Sequence, residues 1–151
     1  METTLAPIIL FVYNRPEHTR KTLQALSKNN LASESILYIY CDGTIAGCSA
    51  ELKKNNDLVK KVLREAQWCK EVIIVESETN KGLANSIISG VTEIINHYGK
   101  VIVLEDDLIT ASTFLEFMNQ ALDNYEKKSE FLQISGFSFP TSKIKPTNCS
   151  Y

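Results

Sequence analysis

The residues best suited to chemistry are Glu105-Asp106-Asp107, which follow directly on the apolar run Val101-Ile102-Val103-Leu104. Three adjacent carboxylates repel one another, and at the end of a buried strand they are costly unless a cation or a ring of donors compensates them. Hard divalent cations such as Mg²⁺ and Mn²⁺ take oxygen ligands and keep waters or phosphate oxygens as well. One or two carboxylates plus a diphosphate would complete such a shell. The other reading is a solvated acidic turn that favours the dipole of the next helix. The place directly after a strand tilts the choice toward the metal.

Other charged residues also follow apolar runs. Asn14-Arg15 comes after Ile8-Ile9-Leu10-Phe11-Val12, where a guanidinium at a helix start would meet a phosphate, or would simply be a surface arginine. Asp42 precedes Gly43 and would accept hydrogen bonds from a base or ribose, or form an ordinary Asp-Gly turn. Lys81, in Asn80-Lys81-Gly82, would neutralise a diphosphate, or belong to a turn capped by Asn or Ser. The sequence contains neither G-x-G-x-x-G nor G-x-x-x-x-G-K-[ST], so a dinucleotide fingerprint and a P-loop have no support. His18 and His97 read as surface or cap residues, Trp68 as packing, and Ser135 has no G-x-S-x-G context.

These residues are positioned by an alternating pattern. The run Ile8–Val12 reads as a strand covered on both faces. A helix over about 17–28 follows, with Pro16 in its first turn and Leu23 and Leu26 inward. A second strand spans about 35–40. Leu58, Val59, Val62, Leu63 and Ala66 then repeat at helical spacing within a helix of about 50–67. A third buried strand runs over 71–76. Ala84, Ile87, Ile88, Val91 and Ile95 mark the inner face of a helix ending near Gly99, and a fourth buried strand runs over 101–104. Thr113 and Glu116 have capping-box spacing, with Thr110 and Ser112 as other caps, before a helix that turns Phe114, Met118, Ala121 and Tyr125 inward. Phe131 to Phe139 reads as a fifth strand, and the segment from Pro140 has no periodicity. Four strand–helix units and a strand imply a Rossmann-like α/β fold: a mostly parallel sheet with helices on both faces. Ligands of such sheets sit at the carboxyl ends of the strands, where the charged residues named above collect.

Composition limits the partners. With 151 residues, 44% of them apolar and 23% charged, the chain is one domain-sized globular unit. A net charge of −2 provides no basic field for a nucleic-acid backbone, and Lys53-Lys54 and Lys60-Lys61 read as a solvated helix face. No stretch approaches the roughly 18 apolar residues of a membrane span. The apolar run from Leu5 to Tyr13 is broken by Pro7 and lacks a preceding positive stretch, so it is not read as a secretion signal. Cys41, Cys48, Cys69 and Cys149 form no C-x-x-C pair, so a zinc cage is not expected; with neither signal nor anchor read, a cytoplasmic location and hence reduced thiols are expected.

Taken in order, Asn14-Arg15-Pro16, Asp42-Gly43, Asn80-Lys81-Gly82 and Glu105-Asp106-Asp107-Leu108 resemble the nucleotide-sugar-binding half of a GT-A glycosyltransferase. The acidic triplet, Phe114-Leu115-Glu116-Phe117 and Leu132-Gln133-Ile134-Ser135-Gly136-Phe137 are most similar to the N-acetylglucosaminyltransferase I-like or family 2-like group. The resemblance implies that Asp107 holds Mn²⁺ or Mg²⁺, Asp106 lies by the ribose and Glu105 near the donor sugar. It implies that Asp42 contacts the base, most often uracil, and that Arg15, with Asn14 beside it, and Lys81 face the diphosphate of the nucleotide sugar. It places a nucleotide-sugar-binding domain over 1–139 and an irregular tail over 140–151, leading into an acceptor half that this chain lacks. The acceptor would be a saccharide or lipid-linked hydroxyl, and no residue here is assigned as its general base. Two other readings remain open. One is a catalytically incomplete remnant that binds a nucleotide sugar or a protein partner. The other is a sugar-phosphate nucleotidyltransferase, which would want a Gly-rich loop after the first strand.

Overall fold

Residues 4–137 are described by a computed structural model of the chain. Ile8–Val12 forms β1, buried at all five positions because it is central in the sheet and covered on both faces. Helix α1 spans Pro16–Ser27, and the buried Leu23 and Leu26 confirm its inward face. Strand β2 is Ile36–Cys41, α2 Ala50–Val62, β3 Glu71–Glu76, α3 Leu83–Tyr98, β4 Ile102–Glu105 and α4 Phe114–Tyr125. The four strands make one parallel sheet in the order β3-β2-β1-β4, so the expected Rossmann-like α/β architecture is the observed one.

The two faces are covered unequally. Leu10, Leu37, Ile39, Ile102 and Leu104 pack with Leu23 and Leu26 of α1, Val59 and Val62 of α2, and Leu115 and Met118 of α4. On the other face Ile9 and Phe11 pack with Ile94 of α3. There the Tyr38 and Tyr98 hydroxyls lie 2.9 Å apart, and the Tyr40 hydroxyl donates to Glu93 Oε2 at 2.8 Å.

Several elements differ from the expectation, each for a physical reason. Helix α2 ends at Val62 rather than near Gln67, and Ala66 is exposed. Buried Trp68 donates its indole N–H to Leu63 O at 3.0 Å, which satisfies a carbonyl that the helix end would leave orphaned. Strand β3 is only half-buried, because it lies at the sheet edge. Helix α3 is rotated relative to the apolar stripe. It buries Ser86, Gly90 and Ile94, leaves Ile87 and Val91 half-buried, and exposes Ala84, Ile88 and Ile95. Small residues decide this: a Cβ on Gly90 would lie 2.9 Å from Ile9 Cδ1 and 3.2 Å from the Phe11 ring, so the helix approaches β1 through its glycine.

Thr113 precedes α4 but makes no side-chain cap. Asn29 Oδ1 accepts the Leu115 N–H at 3.0 Å instead, and Glu116 accepts from Asn30 Nδ2 at 2.9 Å. A partner distant in sequence therefore replaces the local capping box. Leu115 and Asn119 join Met118 and Ala121 on the buried face of α4, while Phe114 and Tyr125 are half-buried. The expected fifth strand does not form over 131–137. That segment folds back on α4: the Phe131 and Tyr125 rings are 4.5 Å apart, and a Cβ on Gly136 would meet Phe114 Cε2 at 2.6 Å. The rest of that expected strand, the 140–151 tail and Cys149 lie outside the described residues. Cys41, Cys48 and Cys69 are free thiols.

Buried Asn119 joins α4 to the segment entering β1. Its Oδ1 accepts the Ala6 N–H at 2.8 Å, and its Nδ2 donates to Leu115 O at 2.8 Å. Replacing Asn119 with Leu removes the acceptor from a buried N–H, at a cost of about 1–3 kcal/mol. Urea unfolding of Asn119→Leu should therefore give a lower midpoint than the parent chain. An unchanged midpoint would show that this bond carries no stability.

Candidate functional site

The register fixes which residues share an edge. Phe11 is opposite Tyr40 on one side and Glu105 on the other, and Tyr40 is opposite Val75. These four residues form one row across the sheet. Because all strands are parallel, the chain leaves this row at Tyr13-Asn14-Arg15, Asp42-Gly43, Ser77 to Gly82 and Asp106-Asp107. The expected polar residues thus lie along one edge of the sheet, and two contact groups form there.

The first group answers the charge problem of the acidic triplet. Arg15 stands at the start of α1 and turns its guanidinium onto the acids. Its Nη2 and Nε both donate to the Asp106 carboxylate, Nε at 3.4 Å, and its Nη1 donates to Asp107 Oδ2 at 3.2 Å. The hydrogen bond to Asp106 raises the guanidinium pKa above its usual value, and the nearby charges of Asp106 and Asp107 add to this. Arg15 is therefore the built-in cation of the triplet. Helix α1 grips the same turn again, as Thr22 Oγ1 donates to Asp106 O at 3.0 Å. The Asp106 side chain is 6% exposed and that of Asp107 44%, so the two pairs face different environments. Glu105, the last residue of β4, is exposed. Among the described residues no three acidic, histidine or cysteine side chains converge to hold a metal by themselves.

The second group is built around Asp42, which is buried. Its Oδ1 accepts from the N–H groups of Gly43 and Lys81, at 3.0 and 2.9 Å, and its Oδ2 accepts from Gly82 at 2.9 Å. The Asp-Gly turn is thus real, and it does more than turn: it captures the two amides that lead into α3. Gly82 has φ of +79°, a region open to glycine, and precedes the helix. Gly43 is equally constrained, because a Cβ there would come within 2.6 Å of Ser77 O. The cap expected from Asn or Ser does not form, as α3 has no side-chain cap; Asp42 fixes the two residues before it, and Asn80 Nδ2 donates to Gly43 O at 2.9 Å. The Lys81 side chain is exposed and Asn14 is half-buried.

Two residues at this edge have no local sequence signal. Asn56 of α2 is buried, and its Nδ2 donates to Tyr13 O at 2.7 Å and Asp42 O at 2.9 Å. It ties the exits of β1 and β2 together. Helical spacing marks only the apolar positions of α2 and gives no signal for the inward amide between them. The Tyr13 hydroxyl is buried and has no hydrogen-bond partner among the described residues.

Two surface depressions lie elsewhere. One, of about 410 Å³, is lined by Lys21, Lys28 and Ile109; the other, of about 510 Å³, by Tyr38, Glu93 and Tyr98. Neither contains the charged residues of the sheet edge.

No family model and no curated protein matches the sequence. Among solved structures, the chain is similar to the crystal structure of S. aureus TarS, with a TM-score of 0.52 and 16% identity. The match covers 81% of this chain and 20% of that one. At this identity the likeness is one of fold: the sheet and its helices have a Rossmann-like α/β arrangement. No helix among the described residues is long and apolar enough to cross a membrane.

Hydrogen bonds to a charged acceptor contribute about 1.5–3 kcal/mol. Asp42→Asn keeps the size of the side chain but presents an NH₂ group to amides that need acceptors. It should lower stability by about that amount in urea unfolding, and hydrogen exchange at Lys81 and Gly82 should accelerate selectively. Equal exchange rates in the two proteins would contradict the role assigned to this carboxylate.

Proposed function

We propose that this chain is the donor-binding part of a glycosyltransferase and binds a nucleoside-diphosphate sugar with the help of a divalent cation. One observation carries the reading: the parallel register brings Arg15, Asp106 and Asp107 into contact at the same sheet edge as Asp42 and Lys81. The Rossmann-like α/β fold, similar to that of TarS, supports it. The chemistry of the donor set also fits a cation of the Mg²⁺ or Mn²⁺ type. Asp107 offers one half-exposed carboxylate, and such cations are commonly held by one or two carboxylates, with substrate phosphates and waters completing the shell. When bound, the cation would stabilise the negative charge that develops on the leaving nucleoside diphosphate.

In this reading Asp107 holds the cation, Asp106 lies by the ribose and Glu105 near the donor sugar. Arg15 and Lys81 face the diphosphate from the starts of α1 and α3, with Asn14 beside them. Asp42 orders the loop of Lys81 and lies beside the base, for which uracil is the leading candidate. These roles are the ones implied by the resemblance of the sequence to the N-acetylglucosaminyltransferase I-like group. The acceptor would be a saccharide or lipid-linked hydroxyl. Transfer also needs a general base within reach of that hydroxyl, and no residue of this chain is assigned to it.

Calorimetric titration of UDP and GDP, with and without Mn²⁺, tests the proposal. The expected result is UDP binding that requires Mn²⁺ and weakens at least tenfold in Asp107→Ala, a variant that keeps the Arg15–Asp106 pair. A folded parent chain that binds neither nucleotide under either condition would refute the donor site.

A further inference from the structure

The contacts of Arg15 divide in two. Nε and Nη2 hold Asp106, whose side chain is 6% exposed and whose carbonyl is fixed by Thr22. Nη1 holds Asp107 at 3.2 Å in a pair where both side chains are nearly half exposed. The inner pair combines burial with fork geometry. The outer pair is a solvent-facing ion pair, and such pairs are weak and readily exchanged. Asp107 is also the carboxylate assigned above to the cation. A guanidinium already bonded to that carboxylate competes with any metal for it, by occupying an oxygen and by placing a positive charge beside the site.

We propose that Arg15 is the resting counter-ion of the acidic triplet, and that its Nη1 exchanges Asp107 for a phosphate oxygen when a nucleoside diphosphate arrives. This inference rests on the donor-site reading and adds a coupling to it. The fork on Asp106 stays in place, so the guanidinium need not swing away. A single N–H changes partner, and Asp107 is released to the cation. Metal and nucleotide then assist each other: the diphosphate removes the competitor of the metal, and the metal removes the competitor of the diphosphate. Such assistance is reciprocal by linkage. In the absence of nucleotide, Asp106 and Asp107 share the Arg15 guanidinium, and the chain has low affinity for free divalent cations.

The test is Mn²⁺ binding without any turnover, read from the electron paramagnetic resonance signal of free Mn²⁺. The parent chain and Arg15→Gln are titrated with Mn²⁺ alone and again in the presence of UDP. Alone, Arg15→Gln should bind Mn²⁺ about tenfold more tightly than the parent. The gain in Mn²⁺ affinity that UDP confers should be smaller in the variant by a similar factor. Should Arg15→Gln be poorly folded with its acids uncompensated, Mn²⁺ should raise its melting temperature more than that of the parent. Arg15→Lys, which keeps the charge without the fork, provides a second folded comparison and should bind Mn²⁺ alone more tightly than the parent. Equal or weaker Mn²⁺ affinity in both variants, with UDP binding of the parent still metal-dependent, overturns the exchange and leaves the donor site standing. If no protein in the series binds Mn²⁺ with or without UDP, both fall.

Discussion

Strand β1 leaves its backbone no access to water. Both faces are buried, and both edges are paired in parallel, to β2 and to β4. Each N–H and C=O along it must therefore find its partner in a neighbouring strand, because a buried unpaired group is costly. That requirement forces the pairing, the burial of both faces fixes its register, and the register sets the row from which Tyr13, Asp42, Ser77 and Asp106 emerge. The charged residues meet because parallel pairing places the exits of their strands side by side. No local feature of the acidic triplet would have placed it opposite Arg15.

Above that row, the loops are held by buried polar side chains rather than by apolar packing. Asn56 joins the exits of β1 and β2, and Asp42 joins β2 to the start of α3; at the opposite edge of the sheet, Asn29 joins the end of α1 to the start of α4. Each satisfies backbone groups that turns and helix ends leave open. A carboxylate or amide can do this only at defined distances and angles, so these bonds fix position as well as contributing stability. The sheet edge is thereby ordered without a bound ligand, which suits a site whose charges must face one another at short range.

The sequence was most legible where one local pattern determined the outcome. Unbroken apolar runs placed all four strands, and Pro16 placed the start of α1. Legibility failed where a distant residue decided. Gly90 rotated α3 away from its apolar stripe, because closeness to β1 rewards a missing side chain and a hydrophobicity pattern does not record that. Trp68 closed α2 early, and Asn29 took the capping task that Thr113 and Glu116 had the spacing to perform. Residues 131–137 have the composition of a strand, but aromatic contacts with α4 claimed them. At the candidate site the residue types were readable and their partners were not. Arg15 was expected beside a phosphate, and its present partners are the acids 91 and 92 residues away.

Helix α3, on the second face of the sheet, carries its own optical reporter. Burial first, and then the bond to Tyr98, pushes the phenol of Tyr38 from its ordinary 10 up to about 12. Burial and the bond to Glu93 push Tyr40 in the same direction. A group whose folded value is raised supports the fold fully below its ordinary value, and that support fades as pH climbs through the raised one. Tyrosinate absorbs in the ultraviolet at longer wavelength than neutral tyrosine. Across an alkaline titration, Tyr38 and Tyr40, the two phenols of β2 that meet α3, should therefore ionise late in the tyrosinate absorbance.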